Sequence, residues 1–191
     1  MIGRLAVSFP PGAGGLSRSE VEAVLSAIDE QKMSQGRIGA QEGRNLVTAV
    51  RSGAVQWLAA KDVGEAVFSH LYTLAIVANR ERRWDFKLEG VTPNLQATRY
   101  SSDGGQHYSW HMDWGLGPTR SRKIGLVAHL SEPGDFDGGR LQLTAGSRPV
   151  DARQERGTVT VFPAFVMHRV TPVTRGVRLG AVLWAVGPSF S

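Results

Sequence analysis

Cysteine is absent from the 191 residues of this chain. That excludes a disulfide scaffold and any thiolate metal site, so a bound metal has only His, Asp and Glu to hold it. The absence fits a reducing compartment, and the expected location is the cytoplasm. Long apolar runs are missing too, so no membrane span is expected. The opening MIGRLAVSFPPGAGG is apolar only in short pieces, is broken by Pro10 and Pro11, and does not read as a secretory signal. No repeat, low-complexity segment or long linker divides the sequence, and one domain is expected over 1–191.

Charge is modestly one-sided. The formal net charge is +5 and the pI is near 10.1. The basic residues are scattered, with the densest groups at Arg80-Glu81-Arg82-Arg83 and Arg120-Ser121-Arg122-Lys123. Such a pattern reads as a solvated basic surface rather than a nucleic-acid footprint. The expected partner is a small molecule or a peptide, and the expected assembly a monomer or homodimer.

What is present falls into two parts. Over about 1–92 the sequence reads as helical support. Ser17-Arg18-Ser19-Glu20 has the form of a capping box, followed by Val21, Val24, Leu25 and Ile28 at helical spacing. Residues 34–56 are polar and Gly-rich, a loop or short strand. A second helix is expected from about Asp62 to Arg82, with Val63, Val67, Leu71, Leu74 and Ala78 on one face. From about 93 to 188 short alternating runs are separated by turn residues. The candidate strands are Leu95–Tyr100, Tyr108–Asp113, Lys123–Leu130, Arg140–Leu143, Thr158–Phe162, Val166–Val170 and Arg178–Val186. This pattern predicts a mostly β protein, a sandwich or jelly roll with the N-terminal helices packed outside.

His111-Met112-Asp113 and the distal His168 supply the chemistry. In a strand, residues i and i+2 share a face, so His111 and Asp113 point together while Met112 points away. Two histidines and a carboxylate are the facial triad of non-haem Fe(II) oxygenases. A lone His-x-Asp is weak, since most are coincidences of surface or core. His168 and Arg178 flank Thr171-Pro172-Val173-Thr174-Arg175-Gly176, which reads as a turn. A hairpin centred there sets His168 and Arg178 opposite one another on one face. Arg178 is either a sheet-edge cation or a buried clamp. The apolar Val177, Leu179, Ala181, Val182, Leu183 and Trp184 around it favour burial, and a buried arginine needs an anion.

The stretch from Tyr100 to Trp184 resembles the prolyl 4-hydroxylase-like, PKHD-type Fe(II)- and 2-oxoglutarate-dependent dioxygenases. The segments that carry the resemblance are Tyr108-Ser109-Trp110-His111-Met112-Asp113, Leu130-Ser131-Glu132-Pro133 with Phe136-Asp137-Gly138-Gly139, and Phe162-Pro163 through His168 to Arg178. Arg51-Ser52-Gly53-Ala54-Val55-Gln56-Trp57-Leu58 is similar to the segment that joins the helices to the barrel in that family. The resemblance implies a double-stranded β-helix, with Fe(II) on His111, Asp113 and His168. It implies 2-oxoglutarate with its far carboxylate on Arg178, and Tyr100 beside it. His129 stands where the family often has a tyrosine; it either replaces that phenol as a donor or is a satisfied core histidine. The implied reaction is O2-dependent hydroxylation of an unactivated C–H bond of a prolyl residue, free amino acid or related small metabolite. Succinate and CO2 are released, with ascorbate as a supporting reductant.

Substrate contacts are open. Tyr108, Trp110 and Trp114 flank the motif and either cover a substrate or pack between sheets. Arg120 and Arg122 follow it and either read an acidic group or are solvated. Trp114 stands where many PKHD-type sequences have Asn. The competing class is a jelly-roll, cupin-like protein that binds metal without catalysis or without 2-oxoglutarate.

Overall fold

The computed structural model describes residues 5–36, 50–144, 146 and 148–189. Its centre is two facing antiparallel sheets. The strands are β1 (Val7–Phe9), β2 (Ser34–Gln35), β3 (Ala54–Ala59), β4 (Gly90–Val91), β5 (Asn94–Ser101), β6 (Tyr108–His111), β7 (Arg122–His129), β8 (Phe136–Gly138), β9 (Leu141–Thr144), β10 (Val150–Asp151), β11 (Val159–Pro163), β12 (Met167–Val170) and β13 (Val173–Val186). The larger sheet runs β1-β11-β7-β13-β5-β3-β2, with β4 and β8 also paired to β13. The smaller runs β10-β9-β12-β6. This is the expected double-stranded β-helix.

Side-chain alternation gives the larger sheet two different faces. From β13, Leu179, Ala181, Leu183 and Ala185 face outward, as do Ile124, Leu126 and Ala128 of β7 and Leu95 and Ala97 of β5. Helix α1 (Arg18–Ala27), the short α2 (Ala60–Val63) and α3 (Glu65–Arg82) cover that face with Val21, Val24, Val63, Val67, Leu71 and Leu74. The inward face carries Gln96, Thr98, Tyr100, Val127, Arg178, Val182 and Trp184 and looks toward the smaller sheet. The largest apolar cluster therefore lies between helices and sheet, while the space between the sheets holds smaller apolar clusters and the polar side chains of the cavity.

The helices begin where their sequences allow. Ser17 accepts from the Glu20 amide while a Glu20 carboxylate oxygen accepts from the Ser17 amide at 2.8 Å, closing the expected capping box. The expected second helix is divided at Gly64, whose φ of 95° ends α2 before α3 starts.

Two expectations change. The N-terminal third is more than helical support, because β1, β2 and β3 extend the larger sheet. The part of 34–56 read as loop over residues 37–49 lies outside the described residues. The second change concerns the distal hairpin. β12 and β13 do not pair: β12 lies between β9 and β6, whereas β13 lies between β7 and β5. Thr171-Pro172 crosses from one sheet to the other. Proline offers no amide to a ladder, which suits it to such a crossing.

Candidate metal and co-substrate site

His168 and His111 are register partners across β12 and β6, which brings their rings to 4.1 Å between centroids. Asp113 follows β6 by two residues and lies past the end of the ladder. Its amide and that of Trp114 donate to the Ala164 carbonyl at 2.9 and 3.0 Å, which folds the carboxylate inward. Met112 points away and is 46% exposed. One ligand atom from each of His111, Asp113 and His168 lies within 4.8 Å of the others.

The tautomers are fixed by acceptor-only partners. His111 Nδ1 donates to the Ser109 carbonyl at 2.8 Å and His168 Nδ1 to the Val166 carbonyl at 2.9 Å. Both Nε2 lone pairs then face Asp113, at 3.7 and 3.5 Å from its oxygens. Hydrogen bonds of this kind orient metal-binding histidines. Burial pushes His111 down to about 3, with His168 adding to the effect, so its ring is neutral and free to ligate. Burial alone raises the Asp113 carboxyl, but its neighbours His168, His111, Trp184 and Arg122 together hold the group below the usual range. Asp113 Oδ2 is buried without a hydrogen-bond partner. Two buried imidazoles that turn Nε2 toward an unsatisfied carboxylate fit a divalent iron.

Arg178 sits on the facing wall of the same cavity. It is 1% exposed, and its Nε and Nη2 have no hydrogen-bond partner. No carboxylate among the described residues pairs with it. Tyr100 is its register partner on β5, with the guanidinium 5.9 Å from the phenol ring centroid. The next inward rung is Thr98, Gly180 and His129. A Cβ on Gly180 would meet Arg178 Nη1 at 3.2 Å, and one on Gly139 would meet its Cδ at 2.8 Å. The two glycines therefore make the slot in which the arginine lies. His129 is 1% exposed with an unpartnered Nε2; burial, with Arg178 as the second cause, pushes it down to about 3. A buried cation with unused donors, beside a neutral imidazole whose Nε2 is unpartnered, is suited to an entering carboxylate.

The profile of the 2OG-Fe(II) oxygenase superfamily matches residues 95–186. The matched residues, which carry the triad and Arg178, belong to this superfamily. It is 28% identical over 174 residues to a PKHD-type hydroxylase of Synechococcus sp. (strain JA-2-3B'a(2-13)), covering 88% of this chain and 74% of that one. It is 31% identical over 152 residues to a PKHD-type hydroxylase of Cupriavidus metallidurans, covering 72% of this chain and 64% of that one. The fold resembles a prolyl-4-hydroxylase of Pseudomonas putida, with TM-score 0.70 and 20% identity over 98% of this chain and 96% of that one. It also resembles the prolyl hydroxylase of Trichoplax adhaerens, solved with a hypoxia inducible factor oxygen degradation domain peptide. There the TM-score is 0.74 and the identity 17%, over 96% of this chain and 84% of that one. The protein is thus a 2-oxoglutarate-dependent Fe(II) dioxygenase of hydroxylase type, and Fe(II) and 2-oxoglutarate are the cofactors of its superfamily.

The other sequence candidates divide. Tyr108 lines the cavity and stacks on His111 with centroids 3.5 Å apart; burial pushes its phenol up to about 12. Trp110 and Trp114 are not among the lining side chains. Trp110 lies on the outer face of β6 beneath the Arg169 guanidinium, at 4.7 Å. A bulge between β12 and β6 turns Tyr108 and His111 inward together and leaves Trp110 outside. Arg120 is exposed and away from the cavity. Arg122 stacks on Trp184 at 3.7 Å and reaches the Asp113 carbonyl at 3.4 Å, so it braces the ligand-bearing loop. Arg51, Gln96, Thr98 and Trp184 also line the cavity, and no motif in the sequence gives them a site role. Arg51 was visible only within the joining segment; nothing local marked it as inward-facing.

Proposed function

We propose that this enzyme hydroxylates an unactivated C–H bond of a prolyl residue, free amino acid or related small metabolite, releasing succinate and CO2. The observation that carries the reading is Arg178. It is fully buried and unpaired among the described residues, and it faces the triad across one cavity.

In this reading His111 and His168 hold Fe(II) through Nε2, and Asp113 holds it through its carboxylate. Arg178 pairs with the far carboxylate of 2-oxoglutarate, with Tyr100 and His129 as neighbouring donors. The bound iron, with 2-oxoglutarate and O2, supplies the oxidising power for C–H cleavage. The chain supplies the rest. The Ser109 and Val166 carbonyls keep both imidazoles oriented. Val127, Leu141, Val170 and Val182 line the cavity with apolar surface and limit its water. Tyr108, protonated throughout the physiological range, presents a hydroxyl beside His111 to position the substrate. Arg122 acts through Trp184 and the Asp113 loop rather than on an exposed surface.

The test is succinate formation with Fe(II), ascorbate and 2-oxoglutarate across free amino acids and proline-containing peptides. Mass spectrometry should find one substrate heavier by a single oxygen. Absence of succinate with every candidate, in protein shown to bind iron, contradicts the proposal.

A further inference from the structure

The cavity holds a second arginine that pairs with no acid among the described residues. Arg51 is 4% exposed and bridges Tyr108 in antiparallel register. Its guanidinium lies 4.6 Å from the Tyr108 ring centroid, and Tyr108 in turn stacks on His111. Its Nη2 donates to Gln96 Oε1 at 2.9 Å, a neutral acceptor, and its buried Nε has no partner. No carboxylate among the described residues pairs with it. Both Arg51 and Gln96 line the cavity that holds the triad and Arg178.

A charge count shows what is missing. Fe(II), Arg51 and Arg178 bring four positive charges to this cavity, and among the described residues Asp113 is the only acidic side chain that lines it. The 2-oxoglutarate dianion and Asp113 together offset three. Arg122, just behind the wall at Trp184, has the same sign as the remainder. An unbalanced buried guanidinium is costly, and a ligand anion that balances it gains correspondingly.

We propose that Arg51 is the anchor for a carboxylate on the substrate. The enzyme then takes a carboxylate-bearing small molecule or the carboxyl terminus of a peptide, in preference to an uncharged internal segment. This rests on the reading of Arg178 as the 2-oxoglutarate clamp, which leaves Arg51 to the substrate. The Arg51–Tyr108–His111 stack sets the bound carboxylate at the triad's edge, so the oxidised carbon lies close to the acid group.

The experiment is calorimetric titration of the enzyme loaded with Mn(II) and 2-oxoglutarate. The probes are free L-amino acids and short proline-containing peptides, each as its acid and its C-terminal amide. At least one acid should bind on the order of 10- to 100-fold more tightly than its amide. Arg51→Gln should abolish that preference, and Arg51→Lys should retain part of it. Gln96→Glu leaves the arginine in place but neutralises it from within, and should abolish the preference as well. The inference is overturned if no acid outbinds its amide, or if the preference survives both Arg51→Gln and Gln96→Glu. It is also overturned if Arg51→Gln weakens 2-oxoglutarate as severely as Arg178→Ala, which would assign Arg51 to the co-substrate. Failure of the wild type to bind 2-oxoglutarate sinks the underlying reading, and this inference with it.

Discussion

His129 and His111 are each held near a pKa of 3 by burial, so both are neutral inside the folded protein. In the unfolded chain each returns to about 6.5. Between these values the unfolded state binds a proton that the folded state refuses. Stability is therefore complete above about pH 6.5 and falls as pH drops toward 3. From pH 7 to pH 5 each histidine should cost the metal-free protein about 2 kcal/mol. Urea denaturation at the two pH values measures this, and His129→Gln should remove about half of the loss. A wild-type stability that does not change between them would show that these rings are not held neutral. A second residue-scale outcome concerns Gly180. Its alanine variant places a methyl 3.2 Å from Arg178 Nη1, Thr98 Oγ1 and the Ala128 carbonyl. It should weaken 2-oxoglutarate roughly tenfold while metal affinity holds, as two titrations would show.

At the scale of elements, local chemistry was readable and pairing was not. The capping box of α1 could be read from Ser17 and Glu20 because it is made within one turn. Ser17→Ala should cost about 1 kcal/mol in chemical denaturation, without change at the metal site. The strands of the β-helix were readable from alternation, and i, i+2 spacing predicted that His111 and Asp113 turn together. Their route differs from expectation: β6 stops at His111, and the Ala164 carbonyl, not the ladder, turns Asp113 inward. The stretch 171–176 predicts a hairpin because turn residues look alike whether a chain reverses beside itself or crosses to a facing sheet. His168 and Arg178 still meet one cavity, but from opposite walls. The short strands β1, β4, β8 and β10 carry too few residues for alternation to show. Arg51 was beyond local reading, since its place depends on a bridge to Tyr108 and a bond to Gln96, both distant in sequence.

Across the whole molecule, the larger sheet separates two jobs. Its outer face joins the helices in an apolar core, and its inner face collects the polar residues of the site. Leu183, fully buried on the outer face, should cost about 3 kcal/mol when changed to Ala, read by denaturant unfolding. Val182 and Trp184, its neighbours on the same strand, look into the cavity, so a packing change on one face is felt on the other. Among the described residues no helix is long and apolar enough to cross a membrane. One cavity serves metal and co-substrate together in the proposed function. Calorimetric titration of 2-oxoglutarate into Mn(II)-loaded protein tests this most directly, comparing the wild type with Arg178→Ala. The wild type should bind one equivalent only when metal is present. Arg178→Ala should keep the metal and lose about 3 kcal/mol of 2-oxoglutarate binding, on the order of 100-fold. Binding that needs neither the metal nor Arg178 would contradict the account.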